Sequence, residues 1–235
     1  MAINGILFDK DGTLIDFQST WVPLYKEAAL FVADNCQHRA DKMLAASGYD
    51  ENTNTVLANT VLAQGNNDEI IEVWLPHAGE YAGTDKKISE AIGHFFTSRI
   101  ALHAVQVTDL KKLFSVLKQK KLKLGVATSD GIESAKSSLE PFGILDQLDF
   151  LVGFDSGFGS KPGTGMIEGF VATTGLKAHE IMMVGDSPHD MEMGKAAGVG
   201  KNIGVLTGTC SHAQLCDDAD HVIDNIADIG TVLDA

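Results

Sequence analysis

Five short apolar runs, each ending abruptly in a polar or glycine-containing cluster, constrain the fold of this chain more than any other feature. They cover residues 3–8, 123–127, 150–153, 181–184 and 203–206, and a weaker sixth candidate covers residues 221–223. Apolar runs of this length that stop at turn-forming residues are typical of strands buried on both faces of a parallel sheet. The pattern therefore predicts a buried sheet whose strands end in polar residues.

Helical patterns separate most of these runs. One amphipathic face is predicted from four apolar residues at helix spacing, namely Leu110, Leu113, Phe114 and Leu117. Pro162 and Pro188 stand where helices are expected to begin, because proline is tolerated at the first helical position. Strands that alternate with helices form βαβ units. We therefore expect an α/β fold built on a parallel sheet.

The stretch between residues 14 and 107 interrupts this alternation. It lacks a good buried strand, and its patterns are mostly helical, at residues 21–34, 68–77 and 88–102. Asn66 and Glu69 have the spacing of an N-cap residue and its capping partner. This stretch therefore differs in architecture from the rest of the chain.

An insertion of this length is too long for a loop inside a compact domain. We therefore predict a mainly helical cap domain at residues 16–105, mounted over the strand ends of a core formed by residues 1–15 and 106–235. Within the cap, residues 48–65 are rich in Asn and Thr and are weakly periodic. They are expected to form an irregular loop or a short hairpin.

The composition argues against several classes of partner. The net charge of −14, from 18 basic and 32 acidic residues, would repel nucleic acid and anionic membranes unless a basic patch overrode it. The densest basic run, residues 118–123, is short. No apolar stretch approaches the ~18 residues that cross a bilayer. We expect neither a nucleic-acid nor a membrane partner, and the sequence leaves the oligomeric state open.

Two further features bear on the compartment. Residues 1–5 resemble neither a secretory nor a transit peptide. The three cysteines include no CxxC pair, and this usage is typical of a reducing compartment. The expected location is the cytoplasm.

Three carboxylates are expected to meet at one edge of the sheet. Asp9 and Asp11 follow the first apolar run directly, and Asp186 follows the fourth. Ligands of parallel α/β sheets bind at the carboxyl ends of the strands. Converging carboxylates repel one another unless a cation neutralises them, and a hard divalent cation with oxygen ligands meets that need. The sequence therefore predicts a metal site, most naturally for Mg²⁺.

The same edge offers groups that bind anions. Thr128 and Ser129 supply hydroxyls where a helix is expected to start, and free backbone N–H groups there favour a phosphate. Lys161 follows a glycine-rich stretch and supplies a positive charge. Carboxylates for a metal, hydroxyls for phosphate oxygens and one lysine together describe a phosphoryl-transfer site.

Four motifs, in order, resemble those of the haloacid dehalogenase superfamily. Residues 8–14 resemble its DxDGT motif, residues 127–129 its second motif, residues 161–162 its third, and residues 185–190 its GDxxxD motif. The helical insert is similar to the C1 cap of the phosphoglycolate phosphatase-like branch. The resemblance implies a doubly wound, Rossmann-like sheet with the strand order 5-4-1-2-3.

The resemblance also implies a role for each motif residue. Asp9 would be the nucleophile that forms an aspartyl-phosphate. Asp11 would act first as general acid and then as general base. The Asp9 and Asp186 side chains and the Asp11 carbonyl would hold Mg²⁺, while Thr128 and Lys161 would bind phosphoryl oxygens.

Asp190 is open to two interpretations. The resemblance implies that it supports the metal site without ligating the ion. Ser187, Pro188 and Asp190 also form a good helix start, so capping alone could explain the carboxylate. The two interpretations are compatible.

A Mg²⁺-dependent phosphatase acting on a small phosphorylated metabolite is the function this pattern favours. A phosphomutase shares the core and differs in how the cap admits water. A haloacid dehalogenase uses the same aspartate without metal and typically lacks the second aspartate, so Asp11 and Asp186 argue against it. A phosphoacceptor signalling domain has no large insert, and a catalytically inactive interaction protein would lack a motif residue, whereas none is missing here.

Two weaker constellations carry less weight. The spacings of Cys210, His212, Cys216 and His221 match no common zinc motif, so a zinc site is not expected. Trp21 and Tyr25 lie one helical turn apart and could close over a substrate, but a role in the core of the insert is favoured.

Overall fold

A six-stranded parallel sheet forms the centre of the larger part of the molecule. It is seen in a computed structural model that describes residues 2–78 and 85–233. In chain order, the strands are β1 (Gly5–Phe8), β2 (Tyr49–Asp50), β3 (Thr55–Val56), β4 (Lys123–Ala127), β5 (Phe150–Val152), β6 (Ile181–Gly185), β7 (Lys201–Val205) and β8 (His221–Ile223). The sheet order is β5-β4-β1-β6-β7-β8, and β2 and β3 form a separate antiparallel hairpin.

The predicted fold class is confirmed, and the predicted strand order needs one correction. The order 5-4-1-2-3 corresponds to β7-β6-β1-β4-β5, which is present. The sheet continues by one more strand, because β8 pairs with β7 in parallel register, Ile203 opposite His221 and Val205 opposite Ile223. The central strands β1 and β6 are buried along their whole length, as expected for a sheet covered on both faces.

Helices follow most of these strands. They are α6 (Leu110–Gln119), α7 (Ile132–Leu139), α8 (Gly165–Thr174), α9 (Pro188–Ala197), α10 (His212–Leu215) and α11 (Ile229–Leu233), and short 3₁₀ turns lie at Glu140–Phe142, Leu145–Gln147, Ala178–Glu180 and Ile226–Asp228. The amphipathic face predicted for α6 is present, with Phe114 and Leu117 buried.

The structure confirms one predicted helix start and corrects two. Pro188 is the first residue of α9, and Ser187 caps it. Pro162 begins no helix, because a turn closed by a hydrogen bond from Gly163 N–H to the Ser160 carbonyl (2.9 Å) precedes α8. Helix α7 starts at Ile132, so the Thr128 and Ser129 hydroxyls lie on the loop before the helix rather than at its start.

The chain divides into two compact units, one formed by Met1–Phe17 with Val105–Ala235 and the other by Gln18–Ala104. The predicted division placed the insert at residues 16–105. The second unit holds most of α1 (Phe17–Val32) together with α2 (Gln37–Ser47), α3 (Val61–Gln64), α4 (Asn67–Trp74), a 3₁₀ turn at Leu75–His77 and α5 (Asp85–His103). In the described ranges, no helix combines the length and the apolar character needed to cross a membrane.

Local signals within the second unit match its structure. Residues 48–65 form the short β2–β3 hairpin followed by α3. Asn66 and Glu69 form the predicted capping box, with Glu69 N–H donating to Asn66 Oδ1 at 3.0 Å and Asn66 N–H donating to Glu69 Oε2 at 2.8 Å. Reciprocal bonds of this kind satisfy two free N–H groups at the start of α4.

Trp21 and Tyr25 belong to the core of this unit. Both side chains are buried. Their rings stack with centroids 5.3 Å apart, and each meets the Phe96 ring edge-on. The Tyr25 hydroxyl donates to the Leu62 carbonyl at 2.8 Å. This arrangement agrees with the core interpretation, because the rings and the hydroxyl have partners inside the unit.

Candidate active site

Three polar side chains leave the sheet at the same edge. Asp9, Thr128 and Asp186 are the residues immediately after β1, β4 and β6. Strand β1 lies between the other two strands, and its last residue, Phe8, is in register with Val126 and Val184. Parallel pairing therefore places these side chains together, although they are far apart in the sequence.

Lys161 joins this edge from the loop before α8. Its ammonium donates to Asp9 Oδ1 and, at 2.6 Å, to Asp190 Oδ1. Only 3% of the Lys161 side chain is exposed. A buried charge is stable only when it is paired and hydrogen-bonded, and the two carboxylates supply both kinds of partner.

The carboxylates of Asp9, Asp186 and Asp190 form a buried cluster whose nearest oxygens all lie within 4.8 Å of one another. Burial, together with the charges of Asp190 and Asp11 and against the opposing effect of Lys161, raises the pKa of Asp9 to about 7. Burial, followed by the charges of Asp9 and Asp190, also raises the pKa of Asp186 well above 3.8. Clustered oxygen ligands that repel one another are suited to a hard divalent cation.

Within the described residues, this is the one cluster of acidic, histidine or cysteine side chains close enough to hold a single ion. Cys210 is buried, whereas Cys216, His212 and His221 are exposed. That these four residues form no zinc site stays a prediction.

Asp190 contacts two different groups through its two oxygens. Oδ1 accepts the hydrogen bond from Lys161, while Oδ2 accepts from Ser187 N–H at 3.2 Å and Ser187 Oγ at 2.6 Å. The carboxylate therefore caps α9 and also fixes the buried lysine.

The Asp11 side chain points to a different partner. Its Oδ2 lies 2.8 Å from Lys10 Nζ, so Asp190 rather than Asp11 completes the carboxylate cluster. This placement is compatible with the prediction that Asp11 would ligate through its carbonyl, which stays a prediction.

The two predicted hydroxyl residues differ in their surroundings. Thr128 is buried at the end of β4, and its Oγ1 accepts a hydrogen bond from Asp130 N–H at 3.1 Å. Ser129 is exposed on the following loop. The structure therefore brings Thr128 to the strand-end edge and leaves Ser129 facing solvent.

Two charged residues that the sequence analysis did not single out lie beside the predicted ones. The Lys10 ammonium contacts Asp11 and donates to Asp130 Oδ2 at 3.0 Å. The sequence signal that could have singled out Lys10 is its position between two aspartates at the end of a buried strand. Its long side chain made a solvent-exposed position the ordinary expectation.

The loop after β7 shapes the space around Asp186. Gly12 has a φ of +82°, and a Cβ at either Gly12 or Gly208 would overlap the Asp186 carboxylate. Thr207 Oγ1 donates to the Gly12 carbonyl at 2.6 Å, and the Thr209 backbone hydrogen-bonds to Asp186. On the side of the carboxylate that faces Gly12 and Gly208, backbone approaches too closely for a Cβ, which explains the glycine at both positions.

The comparison with known families agrees with this geometry. A family model described as haloacid dehalogenase-like hydrolase matches residues 6–203. The chain belongs to this family. The resemblance inferred from the four motifs is thereby confirmed, and so is the prediction that the chain is a hydrolase.

Relatives and solved structures extend the match over nearly the whole chain. A phosphoglycolate phosphatase of Pectobacterium atrosepticum is 26% identical over 97% of this chain and 91% of its own length. The pyrophosphatase PpaX of Halalkalibacterium halodurans is 25% identical over 85% of this chain and 82% of its own length. The crystal structure of a predicted phosphoglycolate phosphatase from Haemophilus somnus has a similar fold, with a TM-score of 0.76 at 21% identity, over 98% of this chain and 97% of that one.

Proposed function

We propose that this enzyme is a Mg²⁺-dependent phosphatase that hydrolyses a small phosphate monoester through an aspartyl-phosphate on Asp9. The observation that carries the proposal is the buried Lys161 ammonium held between Asp9 and Asp190, next to Asp186. A carboxylate nucleophile, a fixed cation and clustered oxygen ligands are what phosphoryl transfer needs.

In the first step, a carboxylate oxygen of Asp9 attacks the phosphorus of the substrate. A new P–O bond to Asp9 forms as the bond to the leaving oxygen breaks. Asp11 donates a proton to that oxygen, so an alcohol leaves. Lys161 and the Thr128 hydroxyl bind the phosphoryl oxygens and stabilise the negative charge that they carry.

In the second step, the Asp11 carboxylate removes a proton from a water molecule. The water oxygen attacks phosphorus, the bond to Asp9 breaks, and inorganic phosphate leaves. Asp9 is again a carboxylate and Asp11 is again protonated, so the cycle closes with no net change in the enzyme. A single residue serves as acid and then as base because the two steps are the reverse of each other in their proton transfers.

The carboxylates of Asp9 and Asp186, with the carbonyl of Asp11, would hold Mg²⁺. Asp190 would support this site through its bond to Lys161. When bound, the ion neutralises the repulsion among the carboxylates and the charge of the phosphoryl group. The raised pKa values of Asp9 and Asp186 support the fit, since both show the cost of burying these charges.

The relatives named above support a proposal for the substrate class. Phosphoglycolate is a small carboxylate-bearing monoester, and pyrophosphate differs in that its leaving group is itself phosphate. We propose a small phosphorylated metabolite of this kind, with the insert at residues 16–105 acting as the cap that selects it. Pyrophosphate is a second candidate, because the similarity to PpaX covers most of both chains.

The test is a comparison of kcat/KM for phosphoglycolate, pyrophosphate and p-nitrophenyl phosphate, with Mg²⁺ and with a chelator, and a sugar phosphate and a 2-haloacid are assayed beside them. Release of phosphate from at least one substrate, dependent on Mg²⁺, is the expected result. Isomerisation of a sugar phosphate without phosphate release would indicate a phosphomutase. Halide release without metal would indicate a dehalogenase, and a stable phosphoenzyme without turnover would indicate a phosphoacceptor protein.

A further inference from the structure

Lys10 is a lysine with no exposed surface, held between two carboxylates from distant parts of the sequence. Its ammonium lies 2.8 Å from Asp11 Oδ2 and 3.0 Å from Asp130 Oδ2, and 120 residues separate Lys10 from Asp130. An ammonium in such a place requires charged partners, because burying it alone costs several kcal/mol. The two carboxylates therefore fix where the ammonium lies, and the ammonium fixes the Asp11 side chain.

Asp130 is itself held by hydrogen bonds to its neighbours on the loop after β4. Its Oδ1 accepts a hydrogen bond from Gly131 N–H at 2.8 Å, and its own N–H donates to Thr128 Oγ1 at 3.1 Å. A continuous chain of polar contacts thus runs from the Thr128 hydroxyl through Asp130 and Lys10 to Asp11. It links the loop proposed to bind phosphate with the proposed acid and base.

We infer that Lys10 and Asp130 are positioning residues that hold the Asp11 carboxyl for proton transfer at the leaving oxygen. This inference rests on the proposed function, in which Asp11 transfers both protons. Neither residue needs to touch the substrate for this role. A displacement of about 1 Å at a reacting group can cost about 100-fold in rate, so the loss of the Lys10–Asp130 contact should reach the chemistry through Asp11.

The leading test is a double-mutant cycle of Asp11→Asn and Asp130→Asn, measured as kcat/KM for an alkyl phosphate and for p-nitrophenyl phosphate. The asparagine in Asp130→Asn keeps the shape and the carbonyl acceptor but removes the charge. Loss of a hydrogen-bonding partner that orients a metal ligand typically costs about 10–100-fold, and Asp130 would orient Asp11 in a comparable way. We expect a loss of that size for the alkyl ester and a smaller one for the nitrophenyl ester, whose leaving group needs little protonation.

If Asp130 acts through Asp11, the double variant should be no slower than Asp11→Asn alone, since coupled residues give non-additive losses. Independent, additive losses would overturn the inference, as would an equal loss for both esters. Lys10→Met provides a second variant and should show the same dependence on the leaving group. The inhibition constant for inorganic phosphate should stay close to the wild-type value in Asp130→Asn.

Asp149→Asn is the matched control, because Asp149, like Asp130, is an aspartate that accepts hydrogen bonds from lysine, in this case from Lys118 and Lys123. Asp149 lies just before the first residue of β5, whereas Asp130 lies after the last residue of β4, so the two aspartates are at opposite edges of the parallel sheet. This variant should lose stability without changing the ratio of kcat/KM between the two esters. A wild type that releases phosphate from neither ester and from neither phosphoglycolate nor pyrophosphate, or an Asp9→Asn variant with full activity, would contradict the proposed function and with it the inference. When the wild type is active and Asp9→Asn is inactive, additive losses in the Asp11 and Asp130 double-mutant cycle contradict the inference but leave the proposed function standing.

Discussion

The ammonium of Lys161 and Oδ1 of Asp190 form a hydrogen bond of 2.6 Å, although 29 residues separate them in the chain. The other Asp190 oxygen accepts two hydrogen bonds from Ser187 at the start of α9. Helix capping and support of the buried lysine are therefore compatible functions of one side chain, because they use different oxygens.

This division of contacts predicts that one of two neighbouring substitutions mainly lowers activity and the other mainly lowers stability. Asp190→Asn keeps an acceptor for the helix cap but removes one of the two charges that balance Lys161, so kcat/KM should fall about 10–100-fold. The loss of stability should be small, because Lys161 keeps Asp9 as a charged partner. Ser187→Ala removes the cap and should cost about 1 kcal/mol of unfolding free energy with a smaller effect on kcat/KM. Steady-state kinetics and urea unfolding on both variants provide the check. Wild-type kcat/KM in Asp190→Asn would refute the role assigned to its charge.

Because of the carboxylate cluster, we expect Asp186→Asn to be at least as stable as the wild type without Mg²⁺ and less stable than the wild type with Mg²⁺. Asp186→Asn removes one of the repelling buried charges, so without metal the variant should be at least as stable as the wild type. With Mg²⁺, the wild type should gain about 2.7 kcal/mol at a concentration 100 times the Kd, whereas the variant should gain much less. Thermal unfolding with Mg²⁺ and with a chelator measures both. An equal gain in the two proteins would exclude Asp186 as a ligand.

Short local patterns predicted much of this structure. The apolar runs identified the strands, and the polar residues that end them, Asp9, Thr128 and Asp186, lie at one edge of the sheet. These features were predictable because strand burial and strand ends depend on residues that are adjacent in the sequence. The capping box of Asn66 and Glu69 was predictable for the same reason.

Other features depend on contacts between distant residues. The Lys10–Asp130 pair spans 120 residues, and no local pattern connects the two. Pro162 is a residue type that favours a helix start, but it lies inside a turn closed by the hydrogen bond between Ser160 and Gly163, and α8 begins only at Gly165. The constraint that Gly208 imposes on Asp186 arises only when β6 and β7 lie side by side. These features follow from tertiary structure rather than from residue preference.

The lowered pKa of Asp149 predicts how the stability of the core varies with pH. Burial raises the pKa of this carboxyl, but hydrogen bonds, first of all from Lys118, outweigh burial and leave the folded pKa below the ordinary value of 3.8. A lowered folded pKa contributes stability above the unfolded pKa, and that contribution is lost as the pH falls through the folded pKa. Asp149→Asn should therefore cost up to about 1 kcal/mol at pH 7, since the group is partly exposed.

The same difference should shrink as the pH falls below 3.8. Urea unfolding of the wild type and the variant between pH 7 and pH 3 measures it, with Asp217→Asn, an exposed carboxylate, as the control. A difference between wild type and Asp149→Asn that stays constant over this range would show that the charge of Asp149 does not stabilise the fold.

The central claim is that Asp9 carries the phosphoryl group during turnover. The most direct measurement is to mix enzyme, Mg²⁺ and substrate, quench in acid within the first turnovers, reduce with borohydride and analyse the peptides by mass spectrometry. Reduction of an aspartyl-phosphate leaves homoserine at the modified position. We predict homoserine at position 9 in the wild type and none in a sample without substrate. The Asp9→Asn variant should show neither homoserine at this position nor hydrolysis of the substrate. Rapid hydrolysis with residue 9 unmodified, or full activity in Asp9→Asn, would contradict the account, because water would then attack the substrate directly.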